Sequence, residues 1–207
     1  KGQSLIFVAD EKEVLGWISL SDSARVSSKE TLNELRSMDI KDLSMLTGDN
    51  DSVAQEMAKE IGIDKLVSTC LPEDKVKYVK AMQDRTVVVV GDGVNDAPAL
   101  ASGDVGIAMA SVGSDIAINS ASITLLNDDL RRIPFLVRLA RKNQNIIIQN
   151  LIFALIAILA GVFFSSIGKF SGINAAILHS LSTLLIILNS ARLIREGEFL
   201  LGENNEI

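Results

Sequence analysis

Thr86-Val87-Val88-Val89-Val90-Gly91-Asp92-Gly93-Val94-Asn95-Asp96-Ala97-Pro98-Ala99-Leu100 is the stretch whose reading decides the fold. Its first five residues are a continuous β-branched run, apolar on both faces, as in a parallel strand covered by helices. Gly91 and Gly93 then bring the backbone close to a ligand, and Ala97-Pro98-Ala99-Leu100 turns the loop into a helix. The loop carries two carboxylates, Asp92 and Asp96, which suit a hard cation: Mg²⁺ takes one or two carboxylates and fills its remaining positions with phosphate oxygens and water.

The same rhythm runs upstream and downstream. Residues 43–46 read as a short buried strand ending in Thr47-Gly48-Asp49-Asn50, and a helix over about 52–61 is closed by Gly62. Leu66-Val67 is a further strand, and Pro72 opens a helix that carries Lys75. Residues 105–109 and 123–125 are strands after the glycine-flanked loop. Near the start, residues 5–9 and 14–20 are strands joined by Asp10-Glu11-Lys12-Glu13, and Ser27 with Glu30 forms a capping box for the next helix. Strand, loop, helix, strand in this order predicts an α/β fold with a doubly wound parallel sheet, whose ligands sit at the carboxyl ends of the strands. Thr47, Gly48, Asp49 and Asp92 all fall there. A hydroxyl from Thr47, an ammonium from Lys75 and carboxylates for magnesium are the parts that phosphoryl transfer needs, because that chemistry is mostly positioning and charge neutralisation. The same set also fits a nucleotide-binding α/β domain without turnover.

Composition changes along the chain. Lys169 is the sole Lys, Arg, Asp or Glu between Asn143 and Arg192, and this apolar region supplies two stretches of the roughly 20 residues that a bilayer core requires. The spans are expected at about 145–167 and 173–194, after a basic amphipathic helix over about 130–143 that bears Arg131, Arg132, Arg138, Arg141 and Lys142. Positive charge flanks the entry and the exit, with Lys169 in the loop, so both ends are predicted to be cytoplasmic. A net charge of −6 gives no electrostatic footprint for nucleic acid. Cys70, the sole cysteine, excludes an intrachain disulfide and a cysteine metal cluster.

Met45-Leu46-Thr47-Gly48-Asp49-Asn50 and the ten residues from Gly91 to Leu100 resemble two signature motifs of P-type ATPases, in the haloacid-dehalogenase-like superfamily, and Pro72-Glu73-Asp74-Lys75 resembles the Pro-x-x-Lys motif between them. Two helices after the catalytic domain, and the ending Leu188-Asn189-Ser190-Ala191-Arg192-Leu193, resemble the heavy-metal branch. The resemblance implies that Asp92 ligates Mg²⁺ with Asp96 in support. It implies that Thr47 and Lys75 contact the transferred phosphoryl group, that Asn95 hydrogen-bonds it, and that Gly48 and Asp49 shape the site near ATP. Asp22 matches a hinge-region aspartate beside the nucleotide. The family's phosphorylated Asp-Lys-Thr-Gly-Thr string does not occur in the chain. The implied organisation is a return segment from a nucleotide domain (1–20), the later part of a phosphorylation domain (21–130), a connecting helix (131–144), two membrane helices (145–195) and a tail (196–207). The remaining domains of the same pump would be its partners, and a bacterial plasma membrane its location.

Polar residues inside a membrane helix are costly and often functional. His179, Ser182 and Thr183 share one side of the last helix, and Asn150 lies early in the preceding one; these are the candidates for a transported transition-metal ion. Helix packing by small polar residues is the competing account. A His here is similar to the cobalt/iron-type group, but Ser180 stands where that group has an acidic residue. The aspartate of zinc/cadmium pumps and the Met-Ser pattern of copper pumps are absent, so a divalent ion such as Co, Fe, Mn or Zn is expected without further choice. Two other functions compete: a membrane-tethered phosphatase of the same superfamily, set aside on the expectation that no Asp-x-Asp nucleophile follows a strand, and a non-catalytic subunit that binds Mg²⁺ or nucleotide.

Overall fold

The computed structural model describes residues 4–10, 13–20, 24–40, 42–82, 84–92, 94–109, 115–126 and 129–194. These fall into two units divided between Pro134 and Phe135.

In the first unit, β1 (Ser4–Ala9) and β2 (Val14–Leu20) form an antiparallel hairpin, with Phe7 opposite Trp17. Asp10 closes its turn by accepting the Glu13 amide at 2.9 Å. Apolar side chains stand exposed on both faces of this ribbon, among them Ile6, Phe7, Leu15 and Trp17. Helix α1 (Val26–Ser37) follows, with Arg25 as its N-cap residue and no side-chain cap. The capping box expected from Ser27 and Glu30 is not formed, because the helix begins before Ser27, which therefore lies inside the first turn.

β3 (Ser44–Leu46), α2 (Asp51–Ile61) and β4 (Lys65–Val67) make a parallel unit in which Met45 pairs with Leu66. Asn50 caps α2 by accepting the Val53 amide at 3.1 Å, and Ala54, Ala58 and Ile61 form its buried stripe. Gly62 ends the helix at φ 78°, the left-handed conformation that glycine adopts without a Cβ penalty. After α3 (Pro72–Lys80), with Pro72 at its start, come β5 (Val88–Gly91), α4 (Ala97–Ser102), β6 (Val105–Met109), α5 (Asp115–Ser120) and β7 (Ile123–Leu125). The parallel order is β5-β6-β7, with Val89 beside Gly106 and Ala108 beside Thr124.

The core of this sheet lies around Leu100 and Ala108, with Val89 and Ala121 packed on them. Its closeness depends on Gly106, where a Cβ would stand 2.6 Å from the Leu100 carbonyl oxygen. The α/β fold with parallel strands is present, hydrogen-bonded among the described residues as the ladders β3-β4 and β5-β6-β7. One expectation is corrected here. The valine run, read as covered on both faces, is open on one, with Val88 49 % and Val90 40 % exposed, because among the described residues nothing packs over that face of β5, whereas β6 is buried along Gly106–Met109.

The second unit is a helix pair. The basic segment and the first apolar span, read from sequence as two elements, are one continuous helix, α6 (Arg132–Ser166). Pro134 falls in its first turn, where a missing amide costs nothing, and no later proline interrupts it. Gly168 at φ 72° turns the chain, Phe164 stacks on Phe170 at 5.3 Å, and Ser171 caps α7 (Gly172–Ser190), which a 3-10 turn (Ala191–Leu193) extends. Both helices are long and apolar enough to cross a membrane.

Candidate functional site

Thr47 leaves the end of β3, and its geometry is held from three directions. Its amide donates to Val67 O at 3.0 Å and its carbonyl accepts from Cys70 N at 2.9 Å. Its hydroxyl donates to Asp49 Oδ2 at 2.7 Å and accepts the Asp49 amide at 3.1 Å. The neighbouring turn adds Thr69 N to Asp49 O at 2.9 Å. Thr69 takes φ 52°, a rare conformation for a β-branched residue. Nothing in the local sequence marks Thr69, since the strain follows from docking this turn against the Thr47 loop.

That turn leads directly into α3, whose first turn carries Lys75. The Lys75 ammonium meets Asp96 Oδ1 at 2.7 Å, with the two side chains only 17 % and 21 % exposed. Asp96 is folded back over the strand end so closely that a Cβ on Gly91 would lie 2.7 Å from the Asp96 Cβ. Glycine at 91 is therefore required by the carboxylate's position. Asp92 lies more open, 3.8 Å from Arg25 Nη2. Arg25 also reaches Met109 Sδ at 3.9 Å, at the end of β6. Sequence reasoning missed Arg25, because a residue 67 positions before Asp92 carries no local signal of that proximity.

Asn95 lies in the 3-10 turn Val94–Asp96, exposed to solvent, and Gly48 lies beside the Cys70 carbonyl, 3.5 Å from where a Cβ would be. The structure thus ties the loops bearing Thr47, Lys75, Asp96 and Asp92 into a chain of contacts at the strand ends. Asp22 lies outside the described residues. Among the described residues, no three of His, Cys, Asp and Glu group closely enough to cage a metal. An exposed carboxylate backed by a second, lysine-paired one fits Mg²⁺, which needs one or two protein carboxylates and keeps its other positions for water and phosphate.

Asp49-Asn50-Asp51 does have Asp-x-Asp spacing after β3, contrary to the expectation used to set a phosphatase aside. Both carboxylates are engaged locally: Asp49 by Thr47, and Asp51 by Ser68 at 2.8 Å and Gln55 at 2.7 Å. Further from the strand ends, Asp42 bridges Lys65 and Arg85, chiefly through its bond to Lys65, and these cations hold its carboxyl below the usual range. Burial pushes the Cys70 thiol up, leaving it the protonated, unreactive form.

In the helix pair, an open groove of about 400 Å³ is lined by Ala157, Gly161 and Ser165 of α6 and by Ala175, His179 and Ser182 of α7. Ser182 and Thr183 both donate to the His179 carbonyl, at 2.8 and 3.0 Å. Thr183 does not line the groove. Ser165, which does, went unnoticed in the sequence because it stands on the other helix. Asn150 is not brought to this groove. It donates to Ser190 Oγ at 2.9 Å and accepts from Asn189 at 2.9 Å, eleven and ten residues beyond His179, roughly 15 Å along the helix.

Residues 1–104 match the family model described as haloacid dehalogenase-like hydrolase. The chain is 42 % identical over 199 residues to a cadmium-transporting ATPase of Staphylococcus aureus, covering 94 % of this chain and 27 % of that protein. It is 41 % identical over 193 residues to a manganese-exporting P-type ATPase of Mycobacterium leprae, covering 92 % of this chain and 26 % of that one. A crystal structure of a zinc-transporting PIB-type ATPase in its E2.Pi state superimposes with a TM-score of 0.83 at 35 % identity, over 93 % of this chain and 32 % of that chain. The chain therefore spans about a quarter to a third of the length of these relatives. With a family model covering half its length and relatives that are heavy-metal P-type ATPases, the chain belongs to the haloacid dehalogenase-like hydrolase family.

Proposed function

We propose that this chain is a segment of an ATP-driven heavy-metal pump of the P-type class, coupling aspartyl-phosphate formation and hydrolysis to export of a transition-metal ion. The observation that carries the reading is the Lys75–Asp96 pair at 2.7 Å, which holds two separately encoded loops at the strand ends of a chain that also bears two apolar helices.

In this reading Thr47 presents its hydroxyl and Lys75 its ammonium to a phosphoryl group, Asn95 donates to it, and Gly48 and Asp49 hold the loop beside ATP. Asp92 would hold Mg²⁺, with Asp96 behind it. When bound, the ion offsets the negative charge of phosphoryl oxygens and orients them. Lys75 has a second task, which is to hold Asp96 in place. The aspartate that accepts phosphate would come from the rest of the same pump, as would the nucleotide domain; the exposed apolar faces of the β1–β2 hairpin support a wider sheet there. The cargo ion would pass the groove at His179 and Ser182. Manganese, zinc and cadmium relatives favour a divalent ion. Asn150, held by Asn189 and Ser190, is better placed to join the helices than to ligate beside His179. Both helix ends would face the cytoplasm and the loop at Lys169 the outside of a bacterial plasma membrane.

ATPase activity of the full-length gene product in liposomes, across a panel of divalent and monovalent metals and beside His179→Ala, tests this. Stimulation by one divalent metal that disappears in the variant supports both the pump and its groove. Stimulation that survives makes His179 a packing residue, and no stimulation by any metal overturns the heavy-metal assignment.

A further inference from the structure

The charges gathered at the strand ends are Asp92 and Asp96 on one loop, Lys75 from α3 and Arg25 from the start of α1. Lys75 is committed to Asp96 at 2.7 Å. Arg25 is anchored as the N-cap residue of α1, its carbonyl accepting from Ser28 N at 2.9 Å, and its guanidinium touches the ends of β5 and β6 through Asp92 and Met109. Its distance of 3.8 Å from Asp92 is that of an ion pair without a tight hydrogen bond, and the Asp92 side chain is 60 % exposed. Such a pair is weak and exchangeable. A divalent cation approaching Asp92 meets a carboxylate whose charge is already opposed.

We propose that Arg25 is a positioning residue that competes with the divalent cation for Asp92, so that α1 holds this carboxylate in the cation-free protein and yields it on cation binding. The proposal rests on Asp92 being the metal carboxylate. The loop that carries Asp92 and Asp96 has both carboxylates opposed by cations, Arg25 and Lys75, so it takes up a divalent cation weakly until an anionic phosphoryl oxygen adds negative charge. Arg25 thereby ties tight cation binding to the presence of phosphate, and its release from Asp92 is felt by the helix that it caps.

The test is Mn²⁺ binding to the 207-residue chain in detergent, read as the loss of free-ion signal by electron paramagnetic resonance. Arg25→Gln should bind Mn²⁺ at least about fivefold more tightly than wild type, since a like charge within a few ångströms of the ion is removed. Arg25→Lys should stay within about twofold of wild type, the charge being kept. The gap between wild type and Arg25→Gln should shrink in about 1 M KCl, where screening acts over roughly 3 Å, whereas a merely structural role would not respond to salt in this way. Unchanged or weaker binding in Arg25→Gln, with folding intact by circular dichroism, overturns the competition. Should that variant not fold, Arg25→Lys decides: tighter binding than wild type by fivefold or more would show that charge is not what Arg25 supplies, and binding within twofold supports the proposal. Asp92→Asn separates the two layers. If it leaves binding unchanged, the metal assignment fails; if it abolishes binding while Arg25→Gln has no effect, only the competition fails.

Discussion

Polar groups at the strand ends and polar groups between the apolar helices are satisfied in different ways. At the strand ends the two carboxylates of the glycine-flanked loop each meet a cation brought from another element: Asp96 meets Lys75, and Asp92 meets Arg25. Between α6 and α7, Ser182 and Thr183 fold onto the His179 carbonyl of their own helix, while Asn150 joins Asn189 and Ser190 through amide and hydroxyl. Water explains the difference. A partly solvated charge can be held loosely and exchanged for a ligand, whereas a polar group in hydrocarbon costs several kcal/mol unless its partner is permanent. An exchangeable site and a fixed clamp are thus the natural products of the two environments.

Four sets of variants press on that contrast, all measurable by denaturation of the chain in detergent with circular dichroism. The largest effect is expected from Gly106→Ala, which involves neither class of polar group. Its new Cβ would stand 2.6 Å from a backbone oxygen, and overpacking of this kind costs about 3 kcal/mol. A smaller loss would mean that β6 and α4 can separate, and that the platform under the site is softer than its packing implies.

Lys75→Ala comes next. It strips the partner from a carboxylate only 21 % exposed, so the cost should lie between that of a surface pair and that of a buried one, about 2 kcal/mol. Asp96→Asn in the Lys75→Ala background should recover part of it. If the double variant is no more stable than the single one, the lysine is not balancing that charge. Asn150→Ala and Asn189→Ala should couple by about 1 kcal/mol in a double-variant cycle, the range found for hydrogen bonds between membrane helices. A coupling larger than the Lys75 effect would invert the comparison and make the helix clamp the stronger device.

The smallest effect is expected from Asp42→Asn, on an exposed triad with Lys65 and Arg85. Because these cations lower the folded-state pKa of Asp42, its contribution is present above the unfolded aspartate's pKa and lost as pH falls through the depressed folded value. The melting difference between wild type and Asp42→Asn should therefore be small at neutral pH and absent in strongly acidic buffer. A difference that persists in acid would show that Asp42 acts by packing rather than charge.

Much of the first unit was legible from residue pattern. Strands at Val105–Met109 and Ile123–Leu125 fall where their apolar runs predict, and Gly62 ends α2 as a left-handed cap. The local misreadings have local reasons. Ser27 looked like a cap because capping chemistry is read from residue type, while the helix start was set one residue before it at Val26. The division between basic helix and first span looked real because composition changes there, yet composition does not break a helix without proline or glycine, and α6 runs through. The valine run at 86–90 reads as doubly covered, but coverage is a property of neighbouring elements, and Val88 and Val90 stand exposed on one face of β5.

The sequence by itself determined which loops carry the chemistry, because glycine, carboxylate, hydroxyl and lysine at those spacings are constrained within a few residues of one another. It also determined that two segments are apolar enough for a membrane, since hydropathy is additive along the chain. Tertiary structure alone decided that Lys75 belongs to Asp96 and Arg25 to Asp92, that Asn150 is committed to Asn189 and Ser190, and that Ser165 shares a groove with His179. Those pairings join residues 14 to 67 positions apart. Over such separations the chain's own stereochemistry imposes no proximity, and only the packing of whole elements against one another brings the groups into contact.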